Sequence, residues 1–469
     1  MNLKKIKTIH FTGIKGVGMT ALALCALGLG KKISGSDTAD IFPTSEILKK
    51  RKIKIKIGFS PAHLPKNCDL VIYTGAHGGS DNQEVKAAVN YQTPVLSHAQ
   101  ALGLFSEGKK TVAVAGVGGK SSTAAMLASV LSSAGYPTGF AVGVGNIPGL
   151  NTPGQMPKKA QYFVVEADEY VTDPLHNQTP RFHYLNPYLA IITNLEHDHP
   201  DVYKNIDEIF ESFRKFIRKT QVIIINFDNP HNRQFIKTID KPLITYGFSP
   251  QADWQILATH IADQKQFISF KYQGMLWPDL ILNVPGDYNA LNALAAVAAG
   301  HHLGISQPQI YLGLKKFIGT KRRFELIAAV KGIALYDDYA HHPSEIKALL
   351  KAAKAWLPNR RLIIIFQSHT YSRTKSLLKE FSQSFARADI VLVNDIFASA
   401  RETDNLGLTG KSFTQSIKQF HPRAVYCPDK IATLAYLKET IAKGDVIFTV
   451  GAGDNWLWHK DIIKLLKQR

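Results

Sequence analysis

The residues richest in chemistry form one short run, Gly116-Val117-Gly118-Gly119-Lys120-Ser121-Ser122. It fits a shortened phosphate-binding pattern, G-x-x-G-K-[ST], in place of the longer G-x-x-x-x-G-K-[ST]. Glycines there let backbone N–H groups close on phosphate oxygens, and the N-terminus of a following helix adds a favourable partial charge. Lys120 is placed to reach the outer phosphates and the Ser121 hydroxyl to face a magnesium ion. A glycine-rich turn with a surface lysine is the bland alternative. The flanks decide against it: residues 111–115 read as a short buried strand, and the alanine-rich residues after Ser122 read as a helix. ATP is the expected ligand.

Two apolar runs end in acidic residues or histidine. One is Tyr162-Phe-Val-Val-Glu166-Ala-Asp168-Glu169; the other spans residues 189–201 and closes with Asn194-Leu-Glu196-His197-Asp198-His199-Pro-Asp201. Ligands of open parallel sheets bind at the carboxyl ends of strands, so both clusters are expected beside the phosphate loop. Carboxylates there suit magnesium, a hard ion that prefers oxygen. The histidines suggest zinc as well, but no compact ligand spacing supports it. Further on, Pro285-Gly-Asp-Tyr288-Asn289-Ala-Leu-Asn292 leads into an alanine-rich helix. Asn289 or Asn292 is expected to cap that helix, with reading a base as the alternative. A last constellation combines Asp337, Asp338, Tyr339, His341 and His342 with His369 and Arg373. A His-His-Pro loop alone is more often structural; next to Asp338, His369 and Arg373 at neighbouring strand ends it reads as a site.

These groups need strands and helices to hold them, and the pattern is α/β throughout. A strand near residue 8 precedes a second glycine loop, Gly13-Ile-Lys-Gly16-Val-Gly18, and an apolar helix. Asp37 follows about twenty residues later, where a dinucleotide fold sets an acid against a ribose. That loop should hold a diphosphate, with NAD the default reading. Strands are expected near residues 53–57, 70–74 and 94–96, and from Lys321-Arg-Arg-Phe onward the pattern restarts as a mostly parallel sheet. Helices are expected over residues 375–388 and 430–443. A chain of 469 residues suggests about three domains.

Composition narrows the class. Hydrophobic residues make up 45% and charged residues 20%, as in ordinary globular proteins. Cys25, Cys68 and Cys427 are far apart and fit neither a disulfide framework nor a zinc site, so a reducing, cytoplasmic setting is expected. Residues 1–30 imitate a signal peptide, but Gly13, Gly16 and Gly18 interrupt it, and no apolar run reaches the ~20 residues that span a bilayer. The net charge of +19 raises the question of nucleic acid, and residues 49–57 look like a basic patch. Their Lys/Ile alternation reads instead as a strand with lysines outward, and the remaining charge lacks interleaved aromatics. Anionic small substrates are the expected partners, with no nucleic acid and no membrane insertion.

In their order, the Gly-x-x-Gly-x-Gly loop, Gly-Lys-Ser, Glu-Ala-Asp-Glu, Thr-Asn-Leu-Glu-x-Asp-His, Asn-Ala-Leu-Asn, Arg-Arg-Phe-Glu and Asp-Asp-Tyr-x-His-His-Pro resemble the Mur ligases, from about residue 9 to 454. The stretches Gly35-Ser36-Asp37, residues 366–374 and residues 395–402 add to the likeness. The resemblance implies three domains: residues 1–107, Rossmann-like and UDP-sugar-binding; 108–320, a P-loop ATPase-like central domain; and 321–469, a Rossmann-like amino-acid-binding domain that closes over ATP. It implies ATP and Mg2+, with UDP-N-acetylmuramate and L-alanine joined through an acyl phosphate. UDP, not NAD, would then sit at Gly13, Gly16, Gly18, Ser36, Asp37 and His98. Gly116, Gly118, Gly119, Lys120, Ser121, Ser122, Asn292, Arg323 and Asp338 would serve ATP. Ser121, Glu166 and His199 would hold the metal, and Tyr339, His341, His369 and Arg373 would meet the amino acid. Lys120, Glu166, His199, His341 and His369 would carry catalysis. Several positions depart from the family pattern: Val117 and Gly118 replace Thr-His, Tyr288 replaces His and Ser368 replaces Pro. Three competing readings remain: a ligase joining the same sugar to a preformed peptide, a degenerate ligase that binds without catalysis, and a nucleotide-regulated nucleic-acid-binding protein.

Overall fold

A computed structural model describes residues 1–196, 202–398, 402 and 404–468. The expected site residue His199, with His197, Asp198 and Asp201, lies outside the described residues, as do residues 399–401. The chain divides into two compact units. One comprises Met1–His260, Phe267–Asn283 and Tyr288–Lys321; the other comprises Ile261–Gln266, Val284–Asp287 and Arg322–Arg469.

The first unit carries a five-stranded parallel sheet in the order Ile55–Ile57, Lys32–Asp37, Thr8–Thr12, Leu70–Tyr73, Val95–Ser97. Its chain reverses direction of travel across the sheet beside Thr8–Thr12, so the crevice at the carboxyl end of that strand opens onto the Gly13 loop. The edge strand Ile55–Ile57 is shorter than the Lys/Ile alternation suggests, and Ile57 is exposed. Lysines flanking an edge strand discourage pairing with another chain.

A second sheet in the same unit has a parallel centre ordered Leu243–Gly247, Val222–Asn226, Leu189–Ile192, Lys110–Ala115, Tyr162–Glu166, Thr138–Ala141. Its central strands are buried on both faces, which is why they read as continuous Val/Ile/Ala runs without alternation. The helix Val17–Gly28 is buried nearly all round, from Met19 to Ala26. It packs against Thr138–Ala141 and Gly154–Gln155, with the Cys25 thiol donating to the carbonyls of Phe140 (3.2 Å) and Gln155 (3.4 Å). Burial pushes that thiol far above its ordinary pKa. The apolar stretch that mimics a signal peptide is therefore a core helix between two sheets. Among the described residues no helix is long and apolar enough to cross a membrane, and all three cysteines are free.

The other unit holds a six-stranded sheet ordered Glu325–Val330, Ile333–Asp338, Val446–Val450, Leu362–Phe366, Ile390–Val393, Ala424–Tyr426. Only its first pair is antiparallel. The helix expected over residues 375–388 is instead two short helices, Tyr371–Ser376 and Leu378–Ser382. Leu377 leaves helical geometry (φ −113°, ψ 25°), and beyond it Phe381 and Phe385 pack on Phe366 at ring separations of 5.9 and 5.1 Å. Burying two aromatic rings outweighs continuing one helix. The expected helix at 430–443 stops at Thr440.

Candidate active site

The phosphate loop leaves the strand Lys110–Ala115 and enters the helix Lys120–Ser133. Neighbouring strands on either side end at Ile192 and Glu166, so Thr193, Asn194 and Glu166 surround the loop. Gly119 has φ +83°, and a β-carbon on it would come within 2.5 Å of Asn292 Oδ1. Only glycine fits there without displacing its neighbours. The N–H of Val117 donates to the Asn194 carbonyl (3.1 Å) and that of Gly118 to Asn194 Oδ1 (2.8 Å). The donors left for a ligand are those of the helix's first turn, Lys120 to Ser122, which have no intrahelical acceptor.

Around this loop the charges are dense. Lys120 Nζ lies 3.1 Å from Glu169 Oε2 and 3.3 Å from Oε1. Burial alone would lower the Lys120 pKa; Glu169, Asp168 and Glu166 more than offset it and keep the ammonium charged. The Ser121 hydroxyl donates to Glu166 Oε2 (3.0 Å), and the Gly143 N–H donates to Oε1 (2.5 Å). Burial raises the Glu166 pKa, Asp168 adds to the rise, and Lys120 opposes it. A half-buried carboxylate short of positive charge, next to a hydroxyl, is an oxygen-donor pair suited to magnesium, which keeps waters and phosphate oxygens as its other ligands. Among the described residues no three His, Cys, Asp or Glu side chains form a metal cage. The expected third ligand, His199, is outside those residues.

Asn289 and Asn292 lie inside the helix Asp287–His302, so neither is its cap, contrary to the expectation. Asn292 Oδ1 accepts from Thr123 Oγ1 (3.1 Å), which fixes the side chain against the phosphate-loop helix. Asn194 and Glu169 were given no individual role by the sequence, since what they contact depends on which strand ends become neighbours.

At the first glycine loop, Gly16 precedes the helix Val17–Gly28. Asp37 is fully buried and accepts from the N–H groups of Lys15 (2.6 Å) and Thr38 (2.8 Å), so its carboxylate holds the loop's shape. Ser36 is buried too and donates its hydroxyl to Glu84. His98 opens the helix His98–Ser106, packs over Gly18 and takes a hydrogen bond from Arg181. Burial, then the Arg181 charge, lowers its pKa to about 3, so the ring is neutral.

In the second unit, Asp338 accepts from the N–H groups of Phe324 (2.7 Å) and Ala340 (2.8 Å), and burial raises its pKa to about 6. Arg323 lies between Arg322 and Phe324, both at positive φ (64° and 47°), and its guanidinium stands over Tyr339 at 5.3 Å. His342 caps the helix Pro343–Trp356 in a capping box with Glu345, the structural role such loops commonly have. His341 Nδ1 faces the Tyr339 carbonyl (3.0 Å). Burial, Arg373 and His341 lower the His369 pKa to about 4, and burial lowers that of His341. The two imidazoles and Arg373 are thus electrostatic neighbours, and both rings are neutral near pH 7. Glu402 ties the loop beyond His369 by accepting from the N–H groups of Tyr371 and Ser372, each 2.9 Å away.

A parallel sheet whose central strand turns through glycines into a helix, with lysine, hydroxyl and carboxylate converging there, defines a nucleotide-binding α/β protein of the P-loop kind. Comparison with known proteins narrows that class. Three family models match: Mur ligase family, catalytic domain, over residues 8–110; Mur ligase middle domain over 114–300; and Mur ligase, glutamate ligase domain, over 322–453. A UDP-N-acetylmuramate–L-alanine ligase of Caldanaerobacter subterraneus subsp. tengcongensis is 38% identical over 464 residues, covering 97% of this chain and 96% of its own. One from Acetivibrio thermocellus is 39% identical over 459 residues, covering 96% and 94%. Among solved structures, a UDP-N-acetylmuramate–alanine ligase from Thermotoga maritima aligns with a TM-score of 0.82 at 27% identity over 99% of both chains. A murein peptide ligase from Psychrobacter arcticus aligns at 0.70 with 25% identity, again over 99% of both. The chain belongs to the Mur ligase family.

Proposed function

We propose that this chain is an ATP-dependent ligase that joins L-alanine to UDP-N-acetylmuramate in a reducing, cytoplasmic setting. The observation that carries the reading is the pairing of Ser121 with the charge-deficient carboxylate Glu166 beside Lys120 at a helix N-terminus. It occurs in a chain similar along its whole length to ligases of that name.

A carboxylate is a poor acyl donor because its oxygen cannot leave. In the reaction proposed, that oxygen attacks the γ-phosphorus of ATP, the bond to ADP breaks, and an acyl phosphate forms. The alanine amine then attacks the acyl carbon, the C–O bond to phosphate breaks, and the amine's proton is released. Lys120 and the N–H groups of the helix Lys120–Ser133 would bind the transferring phosphoryl group, with Lys120 exchanging Glu169 for phosphate oxygens. Ser121 and Glu166 would hold magnesium, joined by His199; the ion would neutralise charge developing on the phosphates. Gly13, Gly16, Gly18 and His98 would seat the UDP-sugar. Tyr339, His341, His369 and Arg373 would meet the amino acid. With a pKa near 4, His369 is a weak base, so its better role is to orient the amine by accepting a hydrogen bond.

L-Alanine is favoured over a peptide because the relatives at 38% and 39% identity carry that name and because, among solved structures, the alanine ligase aligns at a TM-score of 0.82 and the peptide ligase at 0.70. The test is phosphate release from ATP with UDP-N-acetylmuramate, comparing L-alanine, glycine, L-serine and the tripeptide. Strong stimulation by L-alanine, abolished in a folded Lys120→Ala variant, is expected. Stimulation by tripeptide alone would sink the reading.

A further inference from the structure

A line of polar and charged side chains inside the first unit joins the two glycine loops through Arg181, which has no part in the reaction as described. Arg181 is at its centre. One guanidinium nitrogen donates to the Tyr170 hydroxyl (2.7 Å) and lies 3.5 Å from Asp168 Oδ2, while the group stacks over the Tyr170 ring at 5.0 Å. Another nitrogen donates to His98 Nδ1. Guanidinium has donors only, so Nδ1 is the acceptor and the neutral ring carries its proton on Nε2. Nε2 is buried against the Gly18 backbone and lies 3.1 Å from where a β-carbon on Gly18 would be. The ring is thus seated on the first turn of the helix that follows the first glycine loop.

The other end of the line reaches the phosphate loop. Asp168 and Tyr170 belong to the same segment as Glu166, which takes the Ser121 hydroxyl, and Glu169, which holds Lys120. A small cavity with room for about one water runs alongside, lined by His98, Glu166, Asp168 and Arg181. Residues 166–170 therefore touch one loop directly and the other through Arg181 and His98. A phosphate that draws Lys120 away from Glu169 changes the charge facing Asp168, and with it the grip on Arg181.

We propose that Arg181 is a positioning residue that couples the two loops, fixing the tautomer and seat of His98 against Gly18 from the segment that engages Ser121 and Lys120. The proposal rests on the first loop binding the sugar nucleotide and the second ATP. Coupling of this kind is reciprocal: each ligand changes the other's affinity by the same factor.

Two measurements test it on the full chain. In calorimetric titrations, UDP-N-acetylmuramate affinity is measured with and without magnesium and a non-hydrolysable ATP analogue. The wild type is expected to show at least about a fivefold change, Arg181→Met less than about twofold, and Arg181→Lys, which keeps the charge without the fork, an intermediate value. In nitrogen-15 histidine spectra of the ligand-free protein, the His98 signal, identified by its loss in His98→Gln, should show protonated Nε2 and bare Nδ1. Arg181→Met should give a tautomer mixture, which a packing role alone would not produce. Equal coupling in wild type and Arg181→Met, no coupling in the wild type, or an unchanged tautomer in Arg181→Met overturns the proposal. Failure of the wild type to bind either ligand overturns the sugar-nucleotide reading and the coupling with it; normal binding with unchanged coupling removes only the role of Arg181.

Discussion

Glu84, fully buried, and Glu166, half-buried, are carboxylates near the carboxyl ends of two parallel sheets, and their surroundings push them in opposite directions. Glu84, in the helix Gln83–Asn90, meets five donors: Thr12 Oγ1 (2.8 Å), Ser36 Oγ (2.5 Å), His10 Nε2 (3.2 Å), His63 Nδ1 (3.0 Å) and the Ser60 N–H (3.2 Å). Burial works against its ionisation, yet His10, Ser36 and Thr12 bring its pKa down to about 2. Glu166 has the Ser121 hydroxyl and the Gly143 N–H, and Asp168 nearby, so burial prevails and its pKa rises. A saturated carboxylate is finished as structure; it pins two strand ends under the first glycine loop. An under-compensated one has capacity for a cation, and perturbation of that sign is typical of sites that do chemistry.

The widest test of this contrast is Glu166→Gln, which keeps the shape and removes the charge. Phosphate release should fall at least about a thousandfold. Stability should not fall with it. A folded pKa above the unfolded one means stability is greatest below the unfolded pKa and is lost as pH rises through the folded pKa, so near pH 7 the amide removes a penalty. Thermal unfolding should show an unchanged or higher midpoint. A midpoint lowered by several degrees would make Glu166 a second Glu84.

Next in size is a comparison of the loops themselves. Gly119→Ala puts a side chain on a left-handed residue and 2.5 Å from Asn292 Oδ1, so the phosphate loop must shift. A displacement of that order should cost about a hundredfold in kcat/KM for ATP. Gly18→Ala meets only the His98 ring, at 3.1 Å, which gives way by a few tenths of an ångström. Its effect, about threefold, should appear in KM for the sugar nucleotide. Equal losses in steady-state kinetics would show that the two loops are equally constrained.

Glu84→Gln should do the reverse of Glu166→Gln, lowering stability by about 1–3 kcal/mol at pH 7 through unmatched donors. The sign follows from a folded pKa depressed to about 2: the stabilisation is present above the unfolded value of 4.5 and disappears as pH falls through 2. Denaturant titrations of both proteins should therefore converge between pH 4.5 and 2. A constant difference across that range would mean the charge of Glu84 is not what the donors hold.

The unequal legibility of these features has a physical reason. Gly116 to Ser122 could be read because a tight strand-to-helix turn and a phosphate cradle both demand glycine at fixed spacing, whatever packs around them. The apolar strands carrying Glu166 and Asn194 were equally plain, since strands buried on both faces must be uniformly apolar. Glu84 carried no such signature. Its role arises from donors as far apart in sequence as Thr12, Ser36 and Ser60, which meet only after five strands are ordered. Asn292 misled for a related reason: asparagine after a Pro-Gly-Asp turn suits a cap, but the helix begins earlier, at Asp287, and carries it to Thr123. The resemblance to the family supplied a role for His98 but did not join it to Arg181, whose partners belong to two segments far apart in sequence, at His98 and at Asp168 and Tyr170.

The smallest effect probes how a bare phosphate loop stays ordered. Gly118 has no side chain, and the nearest atom to a β-carbon placed there would be Asn194 Oδ1 at 3.8 Å. Val117 and Gly118 are held by N–H donation to Asn194, whose Nδ2 is in turn fixed by Glu196 Oε1 at 3.0 Å. Asn194→Ala removes the side-chain acceptor and leaves the backbone one, so about 1 kcal/mol of loop order should go, raising KM for ATP about fivefold with kcat within about twofold. Gly118→Ala has room for its methyl group and restricts the unfolded and mobile states of the loop, an effect of about 0.4–1 kcal/mol. Combined, the two substitutions should bring KM most of the way back, because both act on the same ordering step. Steady-state kinetics on the double variant decides it: a KM equal to or above that of Asn194→Ala would mean that Asn194 acts on the nucleotide directly and not through the loop.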